Sequence, residues 1–162
     1  MLDPYIKQYG KRLFGLCMTL CNSPYEAEEL YQGTWLRALK SFRQYDQSRP
    51  FEPWITRICV NTYRNAIRRA ARSPLLHFLS EEEKAAAMEK VPAPEKPEYG
   101  ALYAEIDRLP EKLRLTVILY YFQDMDIASV ANALGVPEGT VKSRLNKARK
   151  RLKEALGDET DL

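Results

Sequence analysis

The sequence predicts an all-α protein: two small helical domains joined by a flexible linker, the C-terminal one with a helix-turn-helix. Three observations predict it. Apolar residues recur at helical spacing through most of the chain, and no stretch alternates as a strand does. Prolines and acids gather between Ser73 and Tyr99, where Pro74, Pro92, Pro94 and Pro97 accompany Glu81-Glu82-Glu83. Gly135-Val136-Pro137 separates two short amphipathic stretches, as a turn between packed helices does. The expected domains are residues 1–72 and 100–162, with 73–99 as the linker.

Pro4 to Cys21 reads as the first helix, with Tyr9, Leu13, Leu16, Cys17 and Leu20 on its apolar side. Asn22-Ser23-Pro24 is a turn and a helix start. Tyr25 to Lys40 is the second helix, its inward stripe running Ala27, Leu30, Thr34, Ala38 and Phe42. Glu28, Glu29, Gln32, Trp35, Leu36 and Leu39 do not all fit that stripe. A large apolar residue left outside beside acids would suit a protein partner, whereas Trp35 read as core would not; both readings stand.

Gln44 to Pro50 is a polar loop opening onto a third helix from Phe51 to Arg72. Phe51, Trp54, Ile55, Ile58, Cys59 and Thr62 give that helix an apolar side. Arg57, Asn61, Arg64 and Arg68 form a polar stripe, with Asn65 and Arg72 beside it. Arginines and asparagines on one stripe can pair with phosphates and read base edges. Within the linker, Ser80 to Lys90 holds a turn or two of helix, with Ser80 and Glu83 placed as a capping box. Beyond it, Ala101 to Leu109 and Pro110 to Phe122 read as helices whose Leu109, Leu113, Val117, Tyr120 and Tyr121 pack under the helix-turn-helix.

The helix-turn-helix spans Asp126 to Lys153. Ile127, Val130, Ala131 and Leu134 share one face of its first helix; Gly135 ends that helix and Pro137-Glu138 starts the next. Val141, Leu145, Ala148 and Leu152 form the inward stripe of the second helix, and Lys142, Ser143, Asn146, Lys147 and Lys150 lie opposite. A helix of this kind is sized for a DNA major groove.

The formal net charge of +3 is too small to imply nucleic acid by itself, but its distribution is informative. Arg57, Arg64, Arg68, Arg69 and Arg72 fall in a stretch without acids, and so do Lys142, Arg144, Lys147, Arg149, Lys150, Arg151 and Lys153. Two basic patches flanking the acid-rich Glu81–Glu111 suggest two polyanion-facing surfaces. Cys17, Cys21 and Cys59 contain no CxxC pair and His77 is the single histidine, so no metal or other cofactor is expected. Cys17 and Cys21 share a helix face as buried thiols, which suits a reducing cytoplasm. Met1 to Gly10 has no signal-peptide core, and no apolar run reaches the ~20 residues that span a bilayer. Catalytic constellations are lacking: there is no glycine-rich phosphate loop, nucleophile elbow or His–Asp–Ser set, so no enzyme is expected.

AEELYQGTWLRALKSF, FEPWITRICVNTYRNAIRR and LPEKLRLTVILYYFQDMDIASVANALGVPEGTVKSRLNKARKRL together resemble an extracytoplasmic-function (ECF) sigma factor, the minimal two-domain class of bacterial transcription initiation factor. The resemblance implies binding to core RNA polymerase through Glu28, Glu29, Gln32, Trp35 and Leu36. It implies capture of the minus-ten element by the loop Tyr45, Asp46, Gln47, Ser48 and Arg49, and by Arg57, Asn61, Arg64, Asn65 and Arg68, with Trp54 supporting the helix. It implies contact with the minus-thirty-five element through Thr140, Lys142, Ser143, Arg144, Asn146, Lys147 and Lys150. An anti-sigma factor is a further implied partner, and the free chain is expected to be a monomer without membrane insertion. Glu29, Gly33, Asn65 and Ser129 depart from the residues most frequent in that family.

The alternative is a polymerase-independent helix-turn-helix regulator, which would bind a palindrome as a dimer. No dimerising coiled coil or ligand pocket is legible to support it. A pure protein-binding adaptor is disfavoured by the two basic stripes.

Overall fold

The computed structural model describes residues 2–72 and 100–157, and every regular element among them is helical. The chain divides into two compact units, Met1–Pro94 and Glu95–Leu162. The first holds α1 (Asp3–Leu20), α2 (Pro24–Ser41), a 3₁₀ turn (Phe42–Gln44) and α3 (Phe51–Ala71). The second holds α4 (Gly100–Arg108), α5 (Glu111–Val117) continued by a π turn (Ile118–Phe122), α6 (Ile127–Leu134) and α7 (Glu138–Leu156). The expected linker, with its capping box and helical turns, lies outside the described residues.

In the first unit α2 packs against both α1 and α3, and α1 also meets α3. Leu13, Leu16, Cys17 and Leu20 of α1 are buried as their spacing predicts, while Tyr9 is half-buried. Ser23 caps α2 by accepting the Glu26 N–H at 3.1 Å, and Pro24 occupies the first turn, where a missing N–H costs nothing. Thr34 is buried on α2 because its hydroxyl donates to the Leu30 carbonyl at 2.7 Å. The thiols of Cys17 and Cys21 are buried, as the sequence reading expects, and the Cys17 sulfur sits 3.8 Å from that of Cys59 on α3.

The buried face of α3 also differs. Phe51, Ile55 and Cys59 are buried as expected, but so are Thr56, Val60 and Tyr63, while Trp54, Ile58 and Thr62 are half-buried. The cause is that α3 packs against two helices, so its inward arc is wider and rotated from a single stripe.

In the second unit Ile106, Leu109, Leu113 and Val117 pack with Ala148 and Leu152 of α7, joined at the margin by Leu102 and Phe122. The π turn explains how Phe122 reaches that cluster. On an α-helix Phe122, five positions after Val117, would lie about 140° round the axis. Here the Gln123 N–H bonds the Ile118 carbonyl at 3.0 Å, an i→i+5 closure that brings Phe122 back to the inner side. Tyr121 consequently stays outside at 36% exposure, and Tyr120 is half-buried; neither is the core residue the sequence suggested.

Candidate polymerase and nucleic-acid interfaces

On α2, burial of Ala27, Leu30, Thr34, Trp35 and Ala38 turns Glu28, Glu29, Gln32 and Leu36 outward. Leu36 is 60% exposed and Leu39 57%, a solvent-facing apolar pair on one helix. An apolar pair beside acids is a surface that a protein partner could cover. Trp35 does not belong to this surface. It is 8% exposed, stacked with Phe51 and edge-on to Tyr31, so its expected contact role is corrected to that of a core residue. Tyr25, at the exposed start of the same helix, bonds Glu29, and that hydrogen bond raises its phenol above the ordinary range.

The loop after α2 is held by its own bonds. Tyr45 is buried, its ring tilted against Trp54 at 4.9 Å and edge-on to Phe51 at 5.5 Å. Its hydroxyl donates to the Arg49 carbonyl, tying the two ends of the loop together. Burial pushes the Tyr45 phenol up. Asp46 Oδ1 accepts from the Ser48 N–H at 3.0 Å and from its hydroxyl at 2.6 Å, and the Arg49 N–H returns to the Asp46 carbonyl at 3.0 Å. Those Ser48 bonds, the hydroxyl first, hold the Asp46 carboxyl below the usual range. Asp46, Gln47, Ser48 and Arg49 remain exposed, whereas the ring of Tyr45 is in the core and cannot itself meet a ligand without leaving it.

α3 continues from that loop. Its start is pinned to α1 by Arg12, whose Nε and Nη2 both donate to Glu52 Oε1, at 2.9 and 2.6 Å. Arg57, Asn61 and Arg68 are exposed, with Arg64 and Asn65 half-buried among them. The loop meets the N-terminal end of α3, where Trp54 and Tyr45 pack against each other, and the polar stripe runs from Arg57 along the helix toward its C-terminal end at Arg68.

In the second unit Asp126 caps α6 by accepting the Ser129 N–H at 2.7 Å. Gly135 then ends the helix at φ +68, the left-handed conformation that a side chain disfavours. The chain turns through Val136, whose N–H bonds the Ala131 carbonyl at 3.0 Å, and α7 starts after Pro137. Val141, Leu145, Ala148 and Leu152 are all buried, as the spacing predicts. That burial orients the opposite face, and Lys142, Ser143, Asn146, Lys147 and Lys150 are exposed, with Thr140 and Arg144 half-buried. Two contributors escaped the sequence reading. Arg149 Nε donates to the Tyr121 hydroxyl at 2.7 Å, and Arg149 Nη1 to Asn146 Oδ1 at 3.3 Å. Arg149 stood in the basic run, but nothing in the Tyr-Tyr-Phe triplet marked which ring would face outward.

Residues 5–73 match the family described as Sigma-70 region 2, and residues 99–152 match Sigma-70, region 4. This chain belongs to the sigma-70 family. It is 30% identical over 159 residues to the ECF RNA polymerase sigma factor SigE of Mycolicibacterium smegmatis, covering 95% of this chain but 61% of that protein's length. It is 26% identical over 162 residues to the ECF RNA polymerase sigma factor SigW of Bacillus subtilis, covering 93% of this chain and 86% of that one. The fold is shared with the sigma factor RpoE of Bartonella quintana, solved with the anti-sigma factor NepR, at TM-score 0.74 and 20% identity over 99% of this chain and 100% of that one. It is also shared with CnrH, solved with the cytosolic domain of CnrY, at TM-score 0.69 and 20% identity, covering 98% of this chain and 89% of that one. No helix among the described residues is long and apolar enough to cross a membrane, and no group of ligating side chains among them could hold a metal ion.

Proposed function

We propose that this chain is an ECF sigma factor that binds core RNA polymerase in the cytoplasm and directs it to promoters, reading two elements with two separate surfaces. The observation that carries the proposal is the division of each unit into a buried face and a chemically distinct outward one. On α2 the outward face offers Glu28, Glu29, Gln32 and Leu36 for the polymerase, with Leu39 extending its apolar part. The domain of residues 1–72 would capture the minus-ten element with Asp46–Arg49 and with Arg57, Asn61, Arg64, Asn65 and Arg68. The domain of residues 100–162 would read the minus-thirty-five element from the major groove through Thr140, Lys142, Ser143, Arg144, Asn146, Lys147 and Lys150.

The physical logic is additive. Each surface alone is small, and joining the two on one polymerase makes the second contact intramolecular. The upstream surface reads duplex, whereas the loop takes unpaired bases, so its contacts offset a few kcal/mol of unstacking per extruded base. An anti-sigma partner, such as the one present in the NepR complex of similar fold, would act on this chain by covering these faces.

The test is a gel shift and a run-off assay with the full chain, with and without core polymerase. Sequence-selective DNA binding and initiation that require core polymerase support the proposal. Selective binding to a palindrome by a dimer of the chain alone would overturn it.

A further inference from the structure

The side chain of Asn146 is not free to choose its orientation. Arg149 Nη1 approaches it at 3.3 Å, and a guanidinium has only donors, so the amide must turn its oxygen, Oδ1, toward Arg149. Arg149 is fixed in turn. Its Nε donates to the Tyr121 hydroxyl at 2.7 Å, and its guanidinium carbon lies 5.7 Å from the centre of the same ring. Tyr121 is braced from behind by Tyr120, edge-on at 4.9 Å. Three residues on two elements therefore form one chain, from the π turn to the exposed face of α7.

We propose that Tyr121 and Arg149 are positioning residues that lock Asn146 as a donor and so set base preference at one position of the upstream element. This rests on the assignment of α7 to duplex DNA. An unconstrained asparagine pairs with adenine by using its oxygen and its NH₂ together, on N6 and N7. With Arg149 on one lone pair of Oδ1 and the amide oxygen thereby aimed along α7, the NH₂ is the group turned toward a base. It matches a base whose major-groove edge carries acceptors and no amino donor, which is guanine, with O6 and N7, or thymine, with O4. Adenine's N7 accepts one such bond, but its N6 amino group then lacks the amide oxygen it meets in the bidentate contact, and cytosine offers its amino donor alone. Asn146 thus favours keto bases over amino bases. The same bonds withdraw Arg149 from service as a mobile phosphate contact, unlike Lys147 and Lys150, which lie exposed beside it.

The test is a transcription selection on a promoter library randomised across the upstream element, using holoenzyme reconstituted with the full chain. Wild type, Asn146→Ala, Tyr121→Phe, Arg149→Lys and the Tyr121→Phe/Asn146→Ala pair are compared. Tyr121→Phe keeps the ring and removes one oxygen at a partly exposed site, and Arg149→Lys keeps the charge and removes the Nε donor, so either variant serves if the other folds poorly. The position whose preference Asn146→Ala abolishes should favour guanine or thymine in wild type. There, Tyr121→Phe or Arg149→Lys should admit adenine, lowering the keto-over-adenine ratio by roughly five-fold or more, with other positions unchanged. The paired variant should match Asn146→Ala alone. Wild-type preference for adenine or cytosine at that position, or an unaltered ratio in both positioning variants, overturns the proposal. If wild-type holoenzyme shows no upstream preference at all, the assignment of α7 to DNA fails and takes this proposal with it, an outcome distinct from the other two.

Discussion

Trp35 and Phe51 lie face to face, with ring centroids 6.2 Å apart and planes inclined by 16°. This stacking joins α2 to the first residue of α3 and decides what a change at Trp35 reports. Removing a buried aromatic leaves a cavity and costs ~3–5 kcal/mol, so Trp35→Ala should unfold at markedly lower urea concentration. Leu36→Ser, at an exposed site one residue on, should change stability by no more than about 0.5 kcal/mol. It should instead weaken retention on immobilised core polymerase. A destabilised Leu36→Ser, or a Trp35→Ala of wild-type stability, would reverse the assignment of inside and outside on α2.

Gly135 at φ +68 is the single backbone position on which the helix-turn-helix pivots. An alanine there meets the left-handed penalty of about 1–2 kcal/mol. Thermal unfolding of Gly135→Ala should show that loss, whereas Gly139→Ala, with open space around its Cβ and an ordinary helical position, should be neutral or slightly stabilising.

The cap on α6 makes a pH signature. The Asp126 carboxyl is held below its ordinary value, first by the Ser129 N–H and then by the Ser129 hydroxyl. A depressed folded value means stabilisation that is present above the unfolded value of about 3.9 and lost as pH falls through the folded one. Asp126→Ala should therefore lower the denaturation midpoint at neutral pH, and the gap to wild type should narrow progressively once the pH is taken below about 4. A gap independent of pH would mean that the carboxylate charge is not what caps the helix.

The three thiols are buried, with Cys21 pushed up to about 12 by burial and Cys17 raised further by its bond to Cys59. Thiolates are the reactive form, so native protein should resist an aromatic disulfide reagent at pH 8, and all three should react promptly in denaturant. Fast labelling of one thiol in the native state would place that sulfur nearer the surface than the packing of α1 on α3 allows.

Asn61 and Lys147 stand exposed on different units, which predicts separable effects on promoter choice. Asn61→Ala should lose about 1–3 kcal/mol of discrimination at one downstream position and leave upstream preference intact. Lys147→Ala should change preference within the upstream element alone. Lys150→Ala should weaken all promoters alike and reduce the salt slope by about one unit. A randomised-promoter transcription assay reads all three, and crossed effects between Asn61 and Lys147 would sink the division.

The helix-turn-helix was the most legible part because α4, α5 and α6, the three helices that α7 meets, all bury the same narrow stripe of it. A single stripe, Val141, Leu145, Ala148 and Leu152, then fixes which residues face out. α3 was less legible because two helices cover it: periodicity found Ile55 and Cys59 but missed Thr56, Val60 and Tyr63, which fill the second contact. Trp35 was ambiguous for a related reason, since it widens the inward arc of α2 beyond one stripe and its stacking partner lies outside its own helix. The π turn was invisible, because five consecutive apolar or aromatic residues, Ile118 to Phe122, suit an i→i+4 or an i→i+5 closure equally. With the turn hidden, so was the Tyr121–Arg149–Asn146 chain that depends on it.

The loop between α2 and α3 closes on itself before any ligand arrives: Tyr45 to Arg49 at its ends, Asp46 to Ser48 across its middle. Its ordering entropy is therefore spent in folding the domain. Calorimetry of a single-stranded oligonucleotide binding to holoenzyme should then give a heat-capacity change accounted for by the buried contact area, with no added contribution from folding of the loop. The temperature dependence of promoter opening would accordingly be governed by the breathing of the DNA, with the protein acting as a fixed receptor for whichever base swings out.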